Sequence, residues 1–142
     1  MTIRPATVDD ATAIADLCSS LGYPAPVSVT IQRIECVSDS PSDVLLVAVA
    51  DDGRTVAWIQ GHHAFLIESG PRVEIVGLVV ADGYRRRGIA RQLVQEIERW
   101  ACERGAAAIV VRSNIARQES HAFYPAAGYT TTKTQHVYRK QL

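Results

Sequence analysis

The sequence predicts a mixed α/β layer, with a largely antiparallel central sheet of six to seven strands flanked by about four helices. Three observations predict it. Apolar residues recur at helical spacing in separate stretches, strand-like runs joined by tight turns lie between them, and one strand–helix–strand succession implies a right-handed parallel crossover. No repeat, low-complexity tract or linker divides the chain, so residues 1–142 are expected to form a single domain able to bury one substantial core.

Each element has its own signal. Residues 2–4 can make a short edge strand. Thr7 followed by Asp10 resembles a capping box with Asp in place of Glu. Ile14, Leu17, Cys18 and Leu21 then repeat at helical spacing, and Gly22 supplies a stop. After Pro24 and Pro26, residues 29–37 form a weaker amphipathic helix that ends in a turn-rich segment reaching Asp43. Residues 44–50 are an apolar strand, Asp51-Asp52-Gly53 a hairpin turn, and residues 55–67 and 73–80 two further strands of a meander. Ile89, Leu93, Ile97 and Trp100 make one stripe of a helix closed by Arg104-Gly105. The apolar run 107–111 reads as a central buried strand. A helix capped by Ser113 or Asn114 follows to about Tyr124, and residues 129–142 are expected to supply two final strands.

Composition narrows the function. Lysines plus arginines equal aspartates plus glutamates at 15 each, so no global field favours nucleic acid or an acidic membrane, and any anion recognition must be local. Three widely spaced cysteines, Cys18, Cys36 and Cys102, argue against a disulfide framework or a Cys-x-x-Cys zinc site. No apolar run approaches a membrane span, and the first residues lack the apolar core of a signal peptide. The expectation is a soluble, cytoplasmic protein.

Local anion recognition has one obvious place. The strand 73–80 runs into Arg85, Arg86, Arg87 and Gly88, which open onto a helix. Backbone N–H groups and the positive end of the helix dipole converge there, and the arginines add mobile charge. Neither a dinucleotide fingerprint nor a Walker loop is present. What is present is Arg85-x-x-Gly88-x-Ala90. Taken alone, this pattern also fits a solvated basic turn.

A later segment gives the turn its meaning. Phe123-Tyr124-x-x-x-Gly128-Tyr129 follows at a distance that fits one helix, one strand and a second helix. Together the two motifs resemble the GNAT superfamily of acetyl-CoA-dependent N-acetyltransferases, and the order of elements fits along the whole chain. The resemblance implies that the turn Arg85 to Arg91, including Arg86, Arg87, Gly88, Ile89 and Ala90, binds the pyrophosphate of acetyl-CoA. Backbone groups of Leu78, Val79 and Val80 would pair with the pantetheine arm, and Asn114 and Ser120 match positions that touch the pantetheine or adenosine part. Gly77 in an apolar strand indicates a bulge or a close backbone approach. The resemblance makes it the bulge that splays two parallel strands for the arm.

Two residues carry the candidate chemistry. Glu74 is the one charge inside its strand. It is either the base that takes a proton from the amine, directly or through water, or part of an edge salt bridge. Tyr124 has a phenol that stays protonated near neutral pH, since phenols titrate near ~10 and thiols near ~8.5. It could therefore donate to the leaving thiolate, against the plainer reading of a core tyrosine. Pro125 departs from the family pattern and predicts that the helix ends at Tyr124. His62 and His63 face opposite sides of their strand, so they form no compact metal site, though either can line an acceptor cleft with Trp58.

The resemblance implies direct transfer of acetyl from acetyl-CoA to a primary amine of a small molecule or peptide in a ternary complex. A catalytically weak acyl-CoA-binding regulatory module is the alternative. A homodimer is compatible with the family, and nucleic acid is not an expected partner.

Overall fold

The computed structural model describes residues 1–113 and 117–142. They fall into two compact units, Met1–Arg112 and Ser113–Leu142.

The first unit is built on a five-stranded sheet in the order β1 (Thr2–Pro5), β2 (Asp43–Val49), β3 (Thr55–Leu66), β4 (Gly70–Val80), β5 (Ile109–Val111). Neighbours are antiparallel except β4 and β5, which are parallel. That parallel pair is joined by α3 (Ile89–Glu103), as the predicted crossover requires.

Side-chain alternation sorts the sheet into two faces. Val47 and Trp58, opposite each other in register, pack with Ile14 and Ile34 of α1 (Ala11–Ser20) and α2 (Val27–Asp39). The other face takes α3, whose Leu93, Val94 and Ile97 are fully buried. Gly61 lets α3 come close: a Cβ there would sit 3.1 Å from Ile97 Cδ1 and 3.2 Å from Val44 Cγ1.

The capping signal at Thr7 has a larger role than a cap. Asp10 closes a short 3-10 turn (Val8–Asp10) and accepts from the Thr7 N–H at 2.9 Å. Its carboxylate is buried, held by Arg4 through two bonds of 2.8 and 2.9 Å and by the Thr55 hydroxyl at 2.6 Å. One side chain thus ties β1, the start of α1 and β3. Burial alone would raise its pKa, but these hydrogen bonds and the Arg4 charge outweigh burial and hold it below the usual carboxylate range.

The second unit contains α4 (Gln118–Ala126). Pro125 lies inside this helix, which runs past the expected end at Tyr124. The proline is tolerated because it sits in the last turn, where the chain is already closing. Gly128 N–H reaches Pro125 C=O at 3.1 Å, and Tyr129 N–H reaches Tyr124 C=O at 3.0 Å.

Two strand expectations need correction. Among the described residues no strand follows Val111, so the sheet has five strands and residues 129–142 are not a final pair. Their alternating threonines and aromatics suit a strand, but a strand also needs a paired edge, which local pattern does not encode. The run 107–111 is likewise an edge in the described sheet, and only Ile109–Val111 joins the ladder. Ala107 and Ala108 lie beside β4 through single bonds to Pro71 and Val73, of 3.3 and 3.0 Å.

Candidate active site

The site grows from one irregularity in β4. Gln60 pairs with Gly77 but Gly61 pairs with Ile75, so Val76 is an extra residue, a β-bulge. Gly77 is required beside it by the indole of Trp58, since a Cβ would lie 2.4 Å from Trp58 Cη2. Bulge and close approach, both signalled by a glycine in an apolar strand, are present together.

The bulge ends the parallel ladder. β5 pairs with Val73, Glu74 and Ile75 and no further. From Val76 to Val80 the β5-side edge of β4 has no strand partner among the described residues. Unpaired strand edges are templates for an extended chain. Leu78, Val79 and Val80 lie on this open stretch.

β4 then leads directly into the arginine turn. After a 3-10 turn (Asp82–Tyr84) the chain places Arg86 at φ 61° and Gly88 at φ 77°. Gly88 adopts the left-handed region without cost, whereas Arg86 does so against its Cβ. Left-handed residues turn the backbone sharply here, just before the first N–H groups of the helix. Ile89, Ala90 and Arg91 form the first turn of α3 and have no intrahelical acceptor for their N–H groups. Arg85 is tied back to Asp82 at 3.1 Å. Arg87 lies over the Tyr84 ring at 5.1 Å, and Arg54 donates to the Tyr84 hydroxyl at 2.7 Å. A cleft of ≈430 Å³ bounded by Tyr84, Arg87, Ile89 and Gln92 opens toward the β2–β3 turn and does not include the open edge of β4.

Glu74 sits on the other side of the bulge. Its Oε1 accepts from Arg72 Nε and Nη2 at 3.1 and 2.6 Å, and its Oε2 accepts from Arg112 Nη1 at 3.0 Å. Burial would raise its pKa, but the two guanidinium groups outweigh burial and hold it below the usual carboxylate range. The salt-bridge arrangement is present, and the carboxylate is ionised at neutral pH.

Register adds neighbours that sequence reasoning missed. Asp43, His62 and Glu74 stand opposite one another on β2, β3 and β4 and therefore share a face. Asp43 Oδ1 lies 3.0 Å from His62 Nδ1 and accepts from Gln60 Nε2 at 3.2 Å. This face also carries Trp58 and Gly77. His63 points the other way, buried with its Nδ1 accepting from Arg104 Nε at 3.0 Å. Of the two adjacent histidines, only His62 faces this polar row. Its partner Asp43 looked like the end of a turn in sequence, and no local signal marks the pairing.

Within the second unit, the Phe123-Tyr124…Gly128-Tyr129 element acquires a structural cause. The turn at Gly128 folds Tyr129 back onto Tyr124, with ring centroids 5.7 Å apart, and Phe123 meets Tyr124 at 5.0 Å. Burial raises the Tyr124 phenol above its ordinary value, which keeps it protonated. Ser120 lies in α4, and Asn114 falls outside the described residues.

A bulged strand with an open edge thus runs into an arginine-rich turn and a crossover helix. The sequence matches the acetyltransferase (GNAT) family over residues 11–129, and the chain belongs to that family. It is an acetyltransferase that uses acetyl-CoA as cosubstrate. It is similar to an aminoglycoside N(6')-acetyltransferase type 1 of Serratia marcescens, 28% identical over 107 residues, covering 72% of this chain and 73% of that protein. The solved structure of AAC(6')-Iy in complex with the bisubstrate analogue CoA-S-monomethyl-acetylneamine has the same fold, with a TM-score of 0.86 at 21% identity over 99% of this chain and 98% of that one. A protein described as a transcriptional regulator from Bacillus halodurans C-125 superposes with a TM-score of 0.87 at 25% identity, over 98% of this chain and 99% of that one.

Proposed function

We propose that this chain acetylates a primary amine of a small molecule, with amino sugars of the aminoglycoside kind as the first acceptors to test, by direct attack in a ternary complex. The observation that carries this reading is the open edge of β4 from Val76 to Val80, which leads without interruption into the Arg85–Arg91 turn. Leu78, Val79 and Val80 offer backbone partners for an extended pantetheine arm. Arg85, Arg86, Arg87, Gly88, Ile89, Ala90 and Arg91 offer amides and charge for a pyrophosphate. Asn114 and Ser120 join the cofactor site by motif alone.

Glu74 supplies fixed negative charge beside the bulge. Tyr124 donates to the leaving thiolate, and its raised pKa suits a donor. The amino-sugar acceptor is supported by the curated relatives, which are aminoglycoside N(6')-acetyltransferases.

A cytoplasmic location suits the three unpaired cysteines. Pairing with a second copy rests on the family resemblance, and sedimentation as a monomer would overturn it.

The test is thiol release from acetyl-CoA in the presence of a panel of amines. Amine-dependent release, with Tyr124→Phe and Glu74→Gln losing turnover but keeping acetyl-CoA binding, supports the reading. Binding without transfer to any amine favours instead an acyl-CoA-binding regulatory module, the reading to which the similarity with a transcriptional regulator lends weight.

A further inference from the structure

We infer that His62 is the catalytic base of this site, oriented by Asp43, and that Glu74 opposite it contributes charge without taking the proton. This deepens the acetyltransferase reading and rests on it.

Geometry fixes the histidine's tautomer. Asp43 Oδ1 lies 3.0 Å from His62 Nδ1, and its carboxylate is ionised: burial would raise its pKa, but bonds from Ser40, Gln60 and His62 outweigh burial. A carboxylate only accepts, so Nδ1 carries the hydrogen, and in the neutral ring the lone pair is on Nε2. No partner engages Nε2 among the described residues, and the side chain is 41% exposed whereas Asp43 is 14% exposed. A partly buried carboxylate behind a half-open imidazole is the arrangement that aims a histidine base.

Position agrees. His62 shares its face with Gln60, which is paired with Gly77 at the bulge. Two residues along a strand span about 7 Å, so the imidazole lies one same-face step from the bulge. Register gives it two carboxylate neighbours. Asp43 faces it from β2 and Glu74 from β4, with Arg72 and Arg112 clamped on Glu74.

Glu74 is the weaker base of the two. Both its oxygens accept from guanidinium groups, and protonating it would break one of those contacts. Histidine, by contrast, is the side chain that exchanges protons near neutral pH.

The step balances as follows. His62 Nε2 takes one proton from the ammonium of the acceptor. The freed nitrogen lone pair attacks the thioester carbonyl carbon, a C–N bond forms and the C–S bond breaks. Tyr124 gives its proton to the departing thiolate and is reprotonated by the nitrogen's second proton, giving amide and thiol. His62 returns its proton to solvent.

The test compares His62→Gln, Asp43→Asn and Glu74→Gln by pH–rate profile, with acetyl-CoA binding and thermal midpoint measured on the same preparations. H62Q is expected to lose about 100-fold or more in kcat/KM near neutral pH and to lose the acidic limb of the profile, while binding acetyl-CoA as the parent does. D43N is expected to keep that limb but displace it. In the unmodified protein, the imidazole 15N spectrum should report the Nδ1–H tautomer for His62. An acidic limb that persists in H62Q, or that disappears in E74Q alone, overturns the inference. So does the Nε2–H tautomer. If H62Q fails to fold, an unchanged profile in D43N overturns it as well. Absence of transfer by the parent protein to every amine instead contradicts the acetyltransferase reading, and the tautomer measurement still decides the geometry.

Discussion

Gly77 shows how a single missing side chain positions a site. The Trp58 indole occupies the space where a Cβ would be, so Gly77→Ala must displace either the ring or the bulge. We expect a loss of about 1–3 kcal/mol in a urea melt, with a shift in tryptophan emission, as overpacking does elsewhere. A melt unchanged from the parent would show that the ring moves freely. The glycine was legible because it interrupts an apolar strand. Glu74 was legible for the same reason, as the one charge in that strand, but its partners were not. Arg72 precedes it by two positions and Arg112 arrives from beyond β5, a pairing that only the register reveals. Asp10 illustrates a different limit. Its spacing from Thr7 announced a helix start, whereas its bonds to Arg4 and Thr55 make it a clasp between elements. Asp10→Ala should cost about 3 kcal/mol, because a buried partner set is left incomplete. A loss below about 1 kcal/mol would mean the clasp is a surface contact in effect.

At the level of elements, α3 was the most legible segment because its amphipathic period is strong and Arg104-Gly105 gives it a conventional stop. Leu93 is fully buried on its sheet-facing side. Leu93→Ala should cost about 2–5 kcal/mol in a denaturant melt, through lost burial and the cavity left behind. We propose the turn before α3 as the pyrophosphate site, and its backbone can be tested apart from its charge. Gly88→Ala puts a Cβ where φ is 77° but meets no neighbouring atom. It should cost about 1–2 kcal/mol in stability and weaken acetyl-CoA binding, with no arginine altered. Calorimetric titration giving parental affinity would remove the turn's backbone from the site. The elements misread from sequence are those whose state depends on a partner. Residues 107–111 and 129–142 have the composition of strands, but pairing decides how much of such a run joins a sheet.

For the whole molecule, three partly or fully buried carboxylates link stability to pH. Asp10, Asp43 and Glu74 are each pushed upward by burial and pulled further down by their hydrogen-bond and charge partners. A carboxyl group with a folded pKa below its unfolded value adds stability above the unfolded value, near ~4, and loses it as pH falls through the folded value. Stability should therefore be level from neutral pH down to about 5 and fall steeply below about 4. A urea midpoint unchanged at about pH 3 would contradict these pairings. The overall architecture was readable from order and spacing along the chain, since it depends on local pattern. The polar row of Asp43, His62 and Glu74 was not, because it is assembled across β2, β3 and β4. The most direct test of the acetyltransferase account is the mass of an amino-sugar acceptor after incubation with acetyl-CoA and the protein. The account predicts a product one acetyl group heavier, formed together with free thiol; an acceptor of unchanged mass, across a panel of amines and with acetyl-CoA intact, would contradict it.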